Sequence, residues 1–566
     1  MSRRIITALV LSLFGGLTHA GVATTKHNLS VSGPGAIKAA TETRICIFCH
    51  TPHNAVPSDP LWNRRASGSN YTPYSSSTAI ASPGQPTGAS ILCLSCHDGT
   101  IALGDVLSRS SPIPFAGGTT TMPVGPGRLG TDLSDDHPIS FVYSASLANQ
   151  SGELIVPSAL TGPVRLDASG QLQCTTCHDA HNDPFGKFLV MPNSASALCQ
   201  TCHQKDFWTD SSHAVSNATW NGVGADPWPT TDATTVADNA CENCHQPHSA
   251  GGRERLLHHA IEEDNCAACH NGNVSAQNIM AEFDKSAPHP ITQTTGVHDP
   301  EEPAIVTQRH VECADCHNPH AARSGTANIS GPLTGVRGVS IEGAEINPAT
   351  EEHEVCFRCH ADSTNKPAPR TPRQITQTNV RLEFNTSNPS FHPVAGVGKN
   401  SNVPSLIAPL TTASTISCTD CHNNNSGPAT GGAGPSGPHG STFTPILERQ
   451  YVTLDNTTEQ AAVYALCYKC HDRASILGDQ SFPHHRKHVS DERAPCNLCH
   501  DPHGISLTQG NALNNTHLIN FDTSVVTPSS SGRLLFEDRG TSAGRCYVNC
   551  HGVDHDGWSY PAAAGP

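Results

Sequence analysis

Residues Gln173 to Gln204 read QCTTCHDAHNDPFGKFLVMPNSASALCQTCHQ and hold two Cys-x-x-Cys-His motifs, Cys174/Cys177/His178 and Cys199/Cys202/His203. A further histidine, His181, stands three residues after the first motif. In this signature two thiols add across the vinyl groups of a porphyrin and the adjoining histidine ligates its iron, which is the attachment of c-type haem. The stretch decides the fold because the rest of the chain repeats it.

Outward from that stretch, the remaining pairs are Cys46/Cys49, Cys93/Cys96, Cys241/Cys244, Cys266/Cys269, Cys313/Cys316, Cys356/Cys359, Cys418/Cys421, Cys467/Cys470, Cys496/Cys499 and Cys546/Cys550. Each second cysteine is followed at once by histidine: His50, His97, His178, His203, His245, His270, His317, His360, His422, His471, His500 and His551. All 24 cysteines are consumed in this way. A zinc site needs such pairs to meet in fours or with distant histidines, and a disulfide framework has no use for a histidine after every pair. Covalent haem accounts for both features, giving about twelve haem c groups. The departure is Cys546-Tyr-Val-Asn-Cys550-His551, where three residues separate the thiols.

Composition agrees. Hydrophobic residues are 36%, aromatics only 5%, while Gly and Pro number 47 and 43. Side chains alone make a poor core at that ratio, and one porphyrin per roughly 45 residues would replace many of them. The expected fold is therefore mostly irregular, with short helices around the motifs, a few small β-hairpins and a haem-filled core. Val164 to Gln173 alternates around a glycine turn and reads as one such hairpin.

The motifs fall into six pairs. Odd-numbered ones carry a second histidine three residues on, namely His53, His181, His248, His320 and His503; even-numbered ones tend to open with an apolar residue, as at Leu92, Leu198, Val355 and Leu466. The ninth has Asn425 in that place, and His439 beyond a Gly-rich insertion reads as the same residue moved outward. His137-Pro-Ile, His289-Pro-Ile and His392-Pro-Val each precede an odd motif by 24 to 37 residues. Domains are expected at 1–20 (signal), 21–135 (two haems and a long connection), 136–285 (four haems), 286–440 (three) and 441–566 (three).

A haem iron with histidine on one side takes a sixth ligand from the protein or keeps an open position. Beyond residue 20 the methionines are only Met122, Met191 and Met280, whereas 34 histidines less the motif residues and His19 leave 21. Bis-histidine ligation is the economical reading. The expected distal set is His53, His137, His181, His213, His248, His289, His310, His320, His392, His439, His488 and His503. His27, His259, His353, His485, His517 and His555 are substitutes, and sequence does not separate His258 from His259 or His484 from His485. Proline before four of the five close histidines turns the chain out of the motif helix, so each is expected to serve a haem other than its own. No catalytic constellation competes with this reading.

Residues 1–20, MSRRIITALVLSLFGGLTHA, have the form of a cleaved secretory signal, with Arg3 and Arg4 before an apolar run that is too short to span a bilayer. A lone arginine pair is a weak twin-arginine signal, and no lipid-attachment cysteine precedes Cys46. Without Arg3 and Arg4, 31 basic residues face 49 acidic ones, a net charge of −18. That balance disfavours nucleic acid and anionic membranes. No later stretch reads as a transmembrane segment.

The paired motifs, the His-Pro segments, the signal and the long Gly/Ser/Thr-rich connections resemble the large multihaem c-type cytochromes of metal-reducing, electroactive bacteria. The resemblance implies an electron carrier, not an enzyme with a catalytic residue of its own, in the periplasm or outside the cell. Other cytochromes, insoluble metal oxides or electrodes, and copies of the chain itself are the implied partners; some relatives polymerise by lending a histidine to the next subunit, a role for which the isolated His27 stands as the candidate here. A multihaem oxidoreductase of the nitrite or hydroxylamine type, with one open haem, stays as an alternative, as does a filament subunit.

Overall fold

The computed structural model describes residues 21–56, 61–293, 296–306, 310–323, 329–364 and 366–561. The signal expected at 1–20 lies outside the described residues. Two compact units divide the chain, Met1–Lys205 with Cys244–His258, and Asp206–Asn243 with His259–Pro566. Of the segments expected from motif spacing, 136–285 is divided between these two bodies.

Regular structure is sparse and is concentrated at the cysteines. Motif helices are either single turns, such as Cys174–Cys177, Cys313–Cys316 and Cys418–Asp420, or the longer Gly88–His97, Glu262–His270 and Glu352–His360. The cause is local. In a Cys-x-x-Cys-His run the histidine N–H can donate to the first cysteine's carbonyl four residues back, closing a helical turn. It does so at His50, His178, His203, His317, His422, His471 and His500, over 2.8 to 3.0 Å. Residues flanking the thiols lock the turn with reciprocal caps, Gln173 with Thr176, Glu312 with Asp315 and Ser417 with Asp420. The twelfth motif, one residue longer, cannot close that turn and lies instead on the strand Gly544–Cys550.

That strand is the centre of a three-stranded antiparallel sheet with Leu535–Asp538 and Val553–Tyr560. The other described strands are two residues long. The expected hairpin at Val164–Gln173 forms only its turn, in which Asp167 accepts from the Gln171 N–H and caps the bend. Gln171–Leu172 pairs with Phe141–Val142 instead, because a two-residue ladder satisfies backbone groups wherever two extended segments meet.

Among the described residues, apolar side chains form five small clusters and no single core. Ile47, Phe48, Leu103 and Phe115 pack with Cys49 and Cys96. Leu498, Phe521, Phe536 and Val548 pack with Cys499, Cys546 and Cys550. Between them polar groups carry the interior: Arg64, 0% exposed, donates to the carbonyls of Ser95, Ala102 and Leu103.

Candidate haem sites

Histidines far apart in sequence meet in pairs of constant spacing. In the first unit His50 lies 6.1 Å from His181 between ring centroids, His97 6.2 Å from His27, His178 6.2 Å from His248, and His203 6.3 Å from His137. In the second, His270 meets His213 at 6.2 Å, His317 meets His439 at 6.0 Å and His360 meets His289 at 6.4 Å. His422 likewise faces His503 at 6.2 Å, His471 faces His392 at 6.4 Å and His500 faces His485 at 6.4 Å. Each pair holds one motif histidine and one other. A metal–imidazole bond is about 2 Å, so two imidazoles on opposite sides of one iron hold their centroids roughly 6 Å apart. Interplanar angles run from 12° to 88°. Fixed separation with free rotation is the mark of an axis through both rings, and ordinary ring packing sets no such constant.

The ring nitrogens are sorted accordingly. His97, His178, His245, His317, His422 and His500 point Nδ1 at backbone carbonyls, of Gly127, Lys187, Arg255, Pro332, Pro445 and His517. His27 and His213 do the same with Ala180 and Pro319. Such a bond fixes the tautomer and leaves Nε2 for a metal. Burial pulls His203, His270, His360, His422, His439, His471 and His500 down to about 4, and His485 to about 3, which keeps those rings neutral. A neutral imidazole is the ligating form. Two distal histidines differ, with Nδ1 3.0 Å from a carboxylate, His248 on Asp136 and His503 on Glu383.

A simple construction supplies the distal side. The His-Pro segments run beside the close histidines of a later motif: the His137 N–H donates to the Pro247 carbonyl, His289 to His439 and His392 to His503. Ser390–Phe391 pairs with Gly504–Ile505, and Ala287–Pro288 with Gly440–Ser441. His27 beside Ala180–His181 and His213 beside Pro319–His320 repeat the arrangement. At four of these junctions two histidines are presented, the earlier to an even motif and the later to the odd motif before it.

The thiols order the motifs in space. Cys93 is in hydrogen-bonding contact with Cys174, Cys266 with Cys313, Cys356 with Cys418 and Cys467 with Cys496. Second cysteines meet across the alternate steps. Burial pushes Cys49 and Cys177 up to about 12, aided by the neighbouring Cys96 and Cys202; it raises Cys421 to about 11 with Cys470 beside it, and Cys499 to about 12 beside Cys546 and Cys550. These sulfurs stand where thioethers would lie. Motifs one to four follow one another in the first unit, and six to twelve in the second, with Cys316 beside Cys359 closing the step from seven to eight.

Of the expected distal histidines, eight sit in such pairs with motif histidines: His137, His181, His213, His248, His289, His392, His439 and His503. His320 lies beside His213's junction, with its ring 6.2 Å from Trp208. His53 is exposed, and among the described residues no ring lies against it. His310 is 6.3 Å from His298 instead, in a buried group with Glu302, Glu312 and Asp315. His488 is 6.2 Å from His555, also outside the motif histidines. His27 and His485, held as substitutes, face the motif histidines His97 and His500. The missed signal for His27 was its position, one junction ahead of the first unit, as His137 and His289 are ahead of theirs.

Residues 167–207 match the family model described as a doubled CXXCH motif. No curated protein matches the chain. The matched stretch and the eleven Cys-x-x-Cys-His runs point to a multihaem c-type cytochrome, a class that works in electron transfer. No described helix is long and apolar enough to cross a membrane.

Proposed function

We propose that the chain is a dodecahaem electron-transfer cytochrome, bis-histidine ligated, that passes electrons along its motifs in sequence order to other redox proteins or to an extracellular acceptor such as a metal oxide. Bound haem c supplies the one-electron chemistry. The protein supplies spacing, axial ligands and exclusion of water. The observation that carries the reading is the set of ten histidine pairs at 6.0 to 6.4 Å, linked within each unit by neighbouring cysteines of consecutive motifs. Two histidines facing each other across each of these ten sites would fill both axial positions of a bound iron, which favours this reading over a nitrite or hydroxylamine enzyme. Three of the clusters of apolar side chains abut motif cysteines, so porphyrins fastened there would complete the core. Export follows from the form of residues 1–20 and from covalent haem itself, which is attached outside the cytoplasm.

EPR of the ferric holoprotein tests it. Low-spin signals alone, indifferent to nitrite, are expected; a high-spin signal that nitrite shifts would overturn the proposal in favour of the enzyme. Haem staining of cell fractions places the protein in the periplasm or outside.

A filament subunit is a second reading, and the residue that favours it is His53, not His27. His27 is occupied within the chain beside His97, whereas His53 is exposed and has the motif position whose counterparts His181, His248 and His503 each serve the odd motif two places earlier. No such motif precedes the first within the chain. Electron microscopy of wild type and His53→Ala decides: filaments unaffected by the substitution would end this reading.

A further inference from the structure

Resting on the proposal that the twelfth motif carries covalent haem, we infer that its iron is held by His555 and His488, and that His551, the histidine of the motif, is not a ligand. Three observations converge. First, Cys546, Val548 and Cys550 alternate along one strand and so share a face, and all three pack into the same apolar cluster. Val548 stands directly opposite His555 in the adjoining strand, and directly opposed residues project from the same face. The hairpin thus presents two thiols and an imidazole together, as the helical turn does elsewhere. A bulge makes this register possible: Cys546 faces Trp558 and Tyr547 faces Asp556, leaving Gly557 unpaired at φ +80°.

Second, His555 and His488 lie 6.2 Å apart, within the span of the ten other pairs. His488 has the ring orientation of a ligand, with Nδ1 2.8 Å from the His484 carbonyl. His485 and His488 lie three residues apart, so that His485 reaches His500 while His488 reaches His555. This segment supplies both the eleventh and twelfth sites, as four earlier junctions each supply two. Third, His551 is turned away. Its Nε2, the atom that would bind iron, lies 3.0 Å from both oxygens of Asp455, and its backbone sits at φ +51° past the end of the strand.

The test keeps His551, which the attachment machinery reads, and changes residue 555. In His555→Met the ferric holoprotein should gain the red charge-transfer absorbance of methionine-ligated haem, at one haem per chain, with intact mass showing the same covalent load as wild type. His555→Gly should turn one haem high-spin, and added imidazole should return it. A fully loaded His555→Met protein with the wild-type spectrum would overturn the inference. Wild-type mass one haem short would instead remove the twelfth attachment, and this assignment with it.

A separate observation carries a second site. The geometry points to a divalent transition-metal cation, such as zinc, held by His298, His310, Glu312 and Asp315. Their donor atoms lie within 4.8 Å of one another: His298 Nδ1 is 3.5 Å from Glu312 and 3.6 Å from Asp315 Oδ1, which is 3.7 Å from His310 Nε2. Ligands about 2.1 Å from a tetrahedral cation stand roughly 3.4 Å apart. Asp315 Oδ2 caps the Glu312 N–H, which aims Oδ1 inward. The Asp315 side chain is 5% exposed, and Oδ1 accepts no hydrogen bond. Glu302 and Arg358 complete the surroundings, the guanidinium 2.7 Å from Glu302 and 3.5 Å from Asp315, leaving the carboxylates in excess for a dication. Holoprotein stripped with chelator, incubated with Zn²⁺ and desalted should retain one more zinc per chain than a His298→Ala/His310→Ala variant of equal haem load. Equal retention, or none in wild type, would overturn the site.

Discussion

Replacing Glu383 by glutamine should raise the potential of one haem and leave the others in place. Glu383 is buried, and one of its oxygens accepts from His503 Nδ1 at 3.0 Å, while the ring of His503 faces His422. A carboxylate there stabilises the ferric charge through the imidazole and lowers the potential. Across the hydrogen bond, the ring and one metal bond, the charge lies about 7 Å from the iron, which at an effective dielectric of about 20 is worth about 2 kcal/mol. For one electron that is roughly 100 mV. Glutamine can still accept the hydrogen bond, so ligation is kept. The assay is a potentiometric titration of both holoproteins at mildly alkaline pH, in which the difference curve should have the amplitude of one haem in twelve. Burial raises the carboxyl's pKa, although His503 opposes the rise, so on acidification the wild-type value should climb to that of the variant. Superimposable titrations would refute the placement of His503 on the ninth iron.

His439→Gly should convert one low-spin haem to high-spin, restored by imidazole, and His53→Gly should convert none in the monomer, both read by EPR. Arg64→Met leaves three buried carbonyls without their donor and should cost about 3–5 kcal/mol, measured by denaturant unfolding. Acid should release the distal ligands late. Folded imidazoles pulled below 6.5 to about 4 contribute stability that is complete above pH 6.5 and is lost as pH falls through 4. The low-spin spectrum should therefore persist to about pH 4, and a transition centred near 6.5 would contradict the burial argument.

What the sequence disclosed was chemistry that is local in the chain. Cys-x-x-Cys-His specifies its own helical turn through a bond four residues long, so the motif turns were readable residue by residue. Distal partners come from junctions between segments more than a hundred residues apart, as His392 meets His503, and no periodicity announces such a meeting. The close histidines betrayed themselves by proline and spacing; His27 and His485 had neither. His310 illustrates the converse, because a histidine among carboxylates looks like any other until Glu302 and Asp315 are placed beside it. The twelfth motif departs for a physical reason: one inserted residue breaks the turn, the cysteines lie on a strand, and strand alternation brings His555 opposite Val548 between them.

Intact mass of the purified ferric protein, taken with its EPR spectrum, tests the central claim most directly. Twelve covalent haems, all low-spin, are the predicted result. A smaller load with free thiols at the Cys-x-x-Cys-His motifs, or a full load with several high-spin irons, would contradict it.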